Sequence, residues 1–146
     1  MVFTRNRKVE FEYFVEETEV VGMVLQGWEV KAIIEHRISI AESYVKIING
    51  ELMLIGSRIE PNKAFRFDKP DPTRTRKLLA TKKQINRFSG LVTRDGYTLI
   101  VKDIFYSDTK KIKATLCICK GKKKHDKRET IKLRDIERDN RRQEPV

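Results

Sequence analysis

The alternation of apolar and polar residues predicts a β-hairpin near the middle of the chain. Residues 44–54 read YVKIINGELML, so two apolar-rich runs flank Asn49 and Gly50. Both central residues of a two-residue hairpin turn need a positive φ, which asparagine and glycine tolerate better than most residues. We therefore expect two antiparallel strands that are joined at these two residues.

Three further segments predict strands. Residues 97–106 and 111–119 are apolar runs joined by the polar turn SDTK, and residues 10–27 predict one long strand or two that break near Gly22. Short strands joined by tight polar turns are typical of small barrels and sandwiches. The fold is therefore predicted to be mainly β.

Two segments space their apolar residues as helices do. Residues 28–36 form a short one, and residues 72–89 carry an apolar stripe with lysine and arginine on much of the remaining surface. Asp71 is a good N-cap, Pro72 suits the first helical position, and Gly90 is a common helix stop. We expect flanking helices near 28–36 and 72–89, the second with cations placed to meet a phosphate backbone.

The net charge of +11 is unevenly distributed along the chain. Residues 1–60 hold 7 Lys and Arg against 10 Asp and Glu, whereas residues 61–146 hold 25 against 11. This asymmetry favours a polyanionic partner over a uniform solubility charge, and nucleic acid is the first candidate. An anionic membrane fits less well, because no basic helix carries large apolar residues on its other face.

The composition divides the chain into three parts. Residues 1–8 form a short basic arm, residues 9–119 a β-rich body, and residues 120–146 a basic tail with 11 Lys and Arg against 6 Asp and Glu. The tail has too few apolar residues to offset the entropy of ordering, so we expect it to be disordered when free. Against a negatively charged surface it could become helical.

The two cysteines indicate a reducing compartment. Cys117 and Cys119 lie two apart in an apolar run, which puts both on one face of a strand, and no matching set of zinc ligands accompanies them. No apolar segment resembles a signal peptide or approaches the roughly 20 residues that cross a bilayer. We expect a soluble, cytoplasmic protein with reduced thiols and no metal or cofactor.

The sequence offers little to an enzyme. His36 and His125 have no evident nucleophile or orienting partner, and phosphate-binding loops are absent. Asp126 and Glu129 resemble half of a nuclease acid cluster, but the tail would give a metal no preorganised surroundings. Local compensation of neighbouring cations explains these two acids better, so we expect no catalysis.

The tail opens with GKKKHDKRETIK, at 121–132. With this segment the sequence resembles the small protein B family, the tmRNA-binding factors of bacterial trans-translation. The resemblance covers nearly the whole chain, and the other matching motifs occur in the family's order: NRK at 6–8, YFVEE at 13–17, LQGWEVKAI at 25–33, SYVKI at 43–47 and DPTRTRKLL at 71–79.

The resemblance implies an OB-like antiparallel β-barrel with flanking helices, in agreement with the strand pattern. It also implies an RNA-binding factor rather than an enzyme. Such a factor binds the tRNA-like domain of tmRNA and helps deliver alanyl-tmRNA, with elongation factor Tu and GTP, to stalled ribosomes. Its tail enters the vacant decoding centre and mRNA channel, where it becomes helical.

Individual RNA-binding positions follow from the resemblance. Those implied for tmRNA are Asn6, Arg7, Lys8, Phe11, Glu19, Leu79, Thr81 and Lys113. Those implied for the decoding centre are Gly121, Lys122, Lys123, His125, Asp126, Lys127 and Arg128. His125 is expected to stack on a ribosomal base, and Lys127 and Arg128 to meet phosphates.

The chain departs from the family pattern at several of these positions. Phe11 replaces a frequent histidine and could stack but not donate a hydrogen bond, and Thr81 replaces a more familiar asparagine. A glutamate usual near Gly22 is displaced to Glu19, and the final residues RRQEPV lack an apolar pair. The residues alone leave two alternatives open: a ribosome-associated RNA-binding module without a dedicated RNA, and an acid-cluster nuclease as the enzymatic one.

Overall fold

A computed structural model describes residues 1–62 and 70–122. Nine strands and three helices occur within these ranges. In chain order they are β1 (Val2–Arg5), α1 (Lys8–Glu12), β2 (Tyr13–Met23), α2 (Gly27–Ile34), β3 (Ile38–Ser39), β4 (Tyr44–Ile48), β5 (Glu51–Ile55), β6 (Arg58–Ile59), β7 (Arg76–Leu79), α3 (Lys82–Asp95), β8 (Thr98–Tyr106) and β9 (Ile112–Gly121).

Six of the strands close into an antiparallel barrel. The order is β8-β4-β5-β7-β2-β9, and pairing of β9 with β8 completes the ring. β1 adds to β8 outside the ring, while β3 and β6 form a separate two-stranded sheet. Closure removes free sheet edges from most of the molecule. This arrangement confirms the prediction of a mainly β, barrel-like fold with flanking helices.

The expected hairpin is present as β4 and β5. Ile48 pairs with Glu51, so Asn49 and Gly50 alone make the turn. Their φ angles are 52° and 75°, the positive values that this two-residue turn demands. The alternation along β5 then directs Leu52 and Leu54 into the core, where both are fully buried.

The helix predicted over 72–89 is wrong in its first half, because residues 76–79 form strand β7. β7 pairs with β5 on one side and β2 on the other, so it completes the barrel wall. Arg76 and Leu78 are buried while Leu79 is exposed, which is the two-residue period of a strand. The sequence pattern did not predict the strand, because Arg76 is polar and yet occupies a position that faces the core.

The helix that does form, α3, begins later and ends later than predicted. Its N-cap is Thr81, whose hydroxyl accepts the N–H of Gln84, whereas Asp71 caps a turn by accepting the N–H of Thr73. Gly90 lies within the helix, and Gly96 ends it in the left-handed conformation, with φ of 72°. No helix among the described residues is long and apolar enough to cross a membrane.

The division into arm and body also changes. Residues 2–5 belong to the sheet as β1, and α1 follows directly, so the basic N-terminal segment is part of the folded body. β2 is one strand without a break at Gly22, and β9 continues to Gly121. Residues 123–146, most of the predicted tail, lie outside the described residues.

Helix α1 covers a small second core on the outer face of β8 and β9. Val9 packs there with Ile100, Cys117 and Cys119, whereas Leu116 and Ile118 point into the barrel. The two cysteines therefore share one strand face, as their spacing predicts. Burial raises the pKa of Cys117 to about 11 and that of Cys119 to about 12.

These pKa values predict unreactive thiols in the folded protein. A thiolate is the nucleophile in alkylation, and raising the pKa above 10 leaves almost none at pH 8. We expect iodoacetamide to label both cysteines only as fast as the native fold opens, and to label them rapidly in denaturant. Mass spectrometry against time measures this, and rapid labelling of the native protein would contradict the buried placement.

Candidate nucleic-acid interface

Two of the predicted RNA-binding residues meet on the outer face of the barrel. Gly22 of β2 pairs with Leu79 of β7 on one side and with Lys113 of β9 on the other. The three residues form a row across neighbouring strands. The row opens into a groove of about 390 Å³, lined by Gly22, Met23, Leu25, Val30, Leu79, Lys110, Lys111, Ile112 and Lys113.

The groove combines an apolar floor with a cationic rim. Leu79 is 51% exposed, although it is a large apolar residue. Gly22, beside it on β2, has no side chain to project over the strand. A Cβ at Gly22 would lie 3.3 Å from the Leu79 side chain, so a larger residue there would press against the floor. An apolar surface beside lysines can contact a nucleotide base while ammonium groups meet its phosphates.

The turn between β8 and β9 presents two lysines of the rim, Lys110 and Lys111, and Lys113 follows at the start of β9. Ser107 receives the N–H of Lys110 at 2.9 Å and donates its own N–H to the carbonyl of Lys111 at 2.8 Å. Lys110 adopts a positive φ of 57°, which tightens the turn. Three closely spaced cations thereby border one side of the groove: Lys110, Lys111 and Lys113.

Thr81 follows the groove at the start of α3. It is exposed, and its hydroxyl accepts the N–H of Gln84 in the helix cap. A hydroxyl that accepts one hydrogen bond keeps its own proton to donate. Thr81 can therefore cap the helix and still donate to a ligand, which an asparagine would do through its amide.

Glu19 lies on a different face from Leu79 and Lys113. It pairs with Leu116, whose side chain points into the barrel, so Glu19 is directed to that side of the sheet. There it approaches α3, where Glu17 forms an ion pair with Arg87. The hydrogen bond and charge of Glu17, with a smaller contribution from Glu19, raise the pKa of Arg87.

The N-terminal residues Asn6, Arg7 and Lys8 have unequal roles. Asn6 is buried, donates its side-chain amide to the carbonyl of Ile40 at 3.3 Å and accepts the N–H of Lys8 at 3.1 Å. Lys8 lies 2.9 Å from Glu42, and this hydrogen bond and charge raise the pKa of Lys8. Asn6 therefore holds the chain in place, while Arg7 is exposed.

The start of the tail is fastened to α1, the helix that contains the half-buried Phe11. The backbone N–H of Lys122 donates to the carbonyl of Glu12, and its ammonium group donates to the carbonyl of Glu10, each at 2.7 Å. The same ammonium group lies 5.0 Å from the ring centre of Phe14. Gly121 pairs with Tyr13.

The other predicted tail positions cannot be compared with the structure. Lys123, His125, Asp126, Lys127 and Arg128 lie outside the described residues. Their assignment to the decoding centre stays a prediction.

The sequence pattern missed a buried ion-pair network. Glu29 of α2 and Arg76 of β7 are both fully buried, and the Arg76 Nε lies 2.6 Å from a Glu29 oxygen. Arg74 also binds Glu29, and Arg76 donates further to the carbonyls of Ser57 at 2.9 Å and Pro72 at 3.2 Å. The sequence pattern placed both arginines on the cationic surface of a helix that could meet a phosphate backbone; instead they join α2 to the barrel wall.

The charges of this network compensate one another. Burial alone would raise the pKa of Glu29, but hydrogen bonds from Arg74, the Gln26 N–H and Arg76 outweigh burial and hold that pKa below its ordinary value. Burial lowers the pKa of Arg76, although an arginine starts so high that it stays charged at neutral pH. A carboxylate this deeply buried depends on its arginines.

Comparison with known proteins gives one consistent family. The SmpB protein family model matches residues 3–145. The SsrA-binding protein of Nitrosospira multiformis is 48% identical over 143 residues, which are 97% of each chain. The SsrA-binding protein of Chromobacterium violaceum is 47% identical over 143 residues, which are 97% of this chain and 94% of the relative.

A solved structure resembles the fold as well as the sequence. One chain of the structure described as "tmRNA-SmpB: a journey to the center of the bacterial ribosome" superimposes with a TM-score of 0.67 at 30% identity. The match covers 88% of this chain and 93% of that one. A barrel with a lysine-rimmed groove, a family match over nearly the full length and relatives close to half identical lead to one conclusion: the chain belongs to the SmpB family.

Proposed function

We propose that the protein binds tmRNA and acts in trans-translation at the ribosome, as a binding factor and not as an enzyme. The observation that carries this is the groove, where Leu79 and the lysines around Lys113 offer one surface to bases and phosphates. Family membership supports tmRNA as the RNA, since the relatives are named for binding SsrA and the solved structure joins tmRNA, SmpB and the ribosome.

The body and the tail divide the work. The body holds the tRNA-like domain of tmRNA through the groove, together with Arg7, Lys8 and Phe11 near its other end. The residues from Gly121 onward, among them His125, Lys127 and Arg128, enter the vacant decoding centre and mRNA channel. The fastening of Lys122 to α1 supports this division, because it gives the tail a fixed origin on the body.

The same proposal includes the finer steps of delivery. The protein accompanies alanyl-tmRNA together with elongation factor Tu and GTP, and it does so in the cytoplasm. The uneven charge supports a polyanionic partner, because residues 61–146 hold 25 Lys and Arg against 11 Asp and Glu.

Truncation separates the two parts. A chain that ends after Lys122 keeps the hydrogen bonds of Lys122 to α1 and loses the rest of the tail. We expect it to bind the tmRNA tRNA-like domain nearly as tightly as the full chain, while peptide tagging on ribosomes stalled at a message end falls to background. Fluorescence anisotropy measures the first quantity and a reconstituted translation system the second.

Two outcomes would contradict the proposal. If truncation weakened tmRNA binding as much as tagging, the division between body and tail would be wrong. If the full chain purified with heterogeneous ribosomal RNA and showed no preference for tmRNA, it would act as a ribosome-associated module without a dedicated RNA. Unfolding curves of both chains serve as the control that the body is intact.

A further inference from the structure

A second cationic cavity lies on the outer face of the sheet where β1, β8 and α1 meet. Its volume is about 550 Å³, and it shares no residue with the groove. The lining residues are Arg5, Asn6, Arg7, Val9, Glu10, Lys102 and Asp103. Arg5 and Lys102 were not among the predicted RNA-binding positions.

A β-bulge turns Lys102 towards this cavity. Val101 pairs with Leu116 and Asp103 pairs with Thr115, so Lys102 is the extra residue on β8. Its carbonyl accepts the N–H of Asn6 at 2.7 Å, which holds the bulge against the N-terminal segment. A bulge commonly re-aims one side chain out of the regular alternation of a strand.

The three cations of the cavity are free to bind a ligand. The side chains of Arg5, Arg7 and Lys102 make no hydrogen bond or ion pair within 1–62 and 70–122, the part of the chain that the structure describes. Of the two acids there, Asp103 accepts the hydroxyl of Thr115. Glu10 contributes an exposed carboxylate that opposes an anion. The balance of free charge in the cavity is positive.

The cavity and the groove belong to one continuous face. Arg5 pairs with Asp103, Asp103 with Thr115, and Thr115 with Val20, which makes a row across β1, β8, β9 and β2. The groove row of Lys113, Gly22 and Leu79 runs beside it, displaced by two residues along β9 and β2. Residues two apart on a strand share a face, and two residues span only about 7 Å.

The surface between the two sites has no large or charged side chain. Val20 is 56% exposed, Thr115 is occupied with Asp103, and Gly22 has no side chain. These three residues carry no charge that would repel a polyanion, and cations stand at both ends of the strip. The carboxylate of Asp103 lies at the cavity end, beside Arg5 and Lys102. A strand of nucleic acid can therefore lie along it with phosphates at each end.

We propose that Arg5, Arg7 and Lys102 bind the phosphate backbone of the same RNA that occupies the groove, so that the two sites form one track across the outer face. The inference rests on the proposed function, because it takes the RNA in the groove to be tmRNA. Asn6 supports the track by holding the Lys102 bulge, whereas Lys8 is paired with Glu42 and does not line the cavity.

Salt dependence tests the track. Each phosphate contact contributes about 0.7 to 0.9 to the slope of log Kd against log salt concentration. We expect Arg5→Gln and Lys102→Gln each to reduce the slope for the tmRNA tRNA-like domain by about that amount, and the double variant by about twice as much. Glu10→Gln should act in the opposite direction and tighten binding, because it removes the opposing carboxylate.

Lys46→Gln is the matched control, since this exposed lysine lies on β4, away from both sites, and should leave the slope unchanged. An unchanged slope in the double variant, with wild-type protein binding normally, would overturn the track. So would a loss confined to ribosome binding, which would assign these cations to ribosomal RNA. Failure of the wild-type protein to bind the tmRNA domain would instead reject the proposed function.

Discussion

Arg76→Ala is expected to cost about 3–5 kcal/mol of folding free energy, the range measured when one partner of a buried ion pair is removed. Arg76 is fully buried and is hydrogen-bonded to Glu29, Ser57 and Pro72. Without it, Glu29 keeps Arg74 but loses its interior partner. Urea unfolding followed by tryptophan fluorescence measures the change, since Trp28 lies next to Glu29 in α2.

The exposed ion pair of Arg58 with Glu60 provides the control. The two side chains are 56% and 49% exposed, and Arg58→Ala should change stability by no more than about 1 kcal/mol. Replacing Glu29 and Arg76 together by methionine should recover part of the loss, because no carboxylate is then buried without its partner, while the carbonyls of Ser57 and Pro72 still lose a donor. Equal losses for Arg76→Ala and Arg58→Ala would show that the buried network does not stabilise the fold.

Lowering the pH should reduce the difference in unfolding free energy between the wild-type protein and the Arg76→Ala variant. The pKa of Glu29 is held below its unfolded value, so its contribution is present at neutral pH and is lost as the pH falls through the folded-state pKa. In the variant, a protonated Glu29 no longer needs a cation. The gap in unfolding free energy is therefore largest near neutral pH.

Leu79→Glu is expected to weaken binding of the tmRNA tRNA-like domain by roughly 10-fold to 100-fold, the equivalent of losing one base contact. The substitution removes the apolar floor of the groove and places a carboxylate beside Lys113. Because Leu79 is 51% exposed, stability should change by only about 0.5 kcal/mol. Anisotropy titration at constant salt measures the affinity.

Ile48→Glu is the matched variant for that experiment. Ile48 is 41% exposed at the end of β4 and lies outside the groove. It receives the same change of charge and should leave the affinity almost unaltered. If both variants weakened binding equally, net charge rather than the groove would govern recognition.

The sequence predicted those parts of the fold that depend on neighbouring residues. Asn49 and Gly50 specify their turn by backbone chemistry alone, and the two free cysteines of β9 share a face because the strand period requires it. Strand β7 could not be predicted in this way. Arg76 is polar by type and buried by position, and that position depends on partners distant in the chain, above all Glu29, 47 residues away.

The candidate interface shows the same limit. Leu79 and Lys113 were identified one by one from a family resemblance, but their common row depends on the register of β7, β2 and β9. Register is set by long-range pairing, which no local pattern records. Asn6 was expected to meet RNA, yet its buried amide serves the backbone of Ile40. Lys102 escaped notice because a bulge, rather than the strand period, directs it.

Strand β9 also fixes a distance. It begins beside the groove at Ile112 and ends at Gly121, one residue before the chain is tied to α1. Gly121 lies eight residues after Lys113, which at strand spacing is about 26 Å. β9 is paired along its length with β2 and β8, so the strand is rigid and the distance between its two ends is fixed. An RNA bound in the groove therefore lies at a fixed distance from the point where the last residues leave the body, and no conformational change is needed to set that distance.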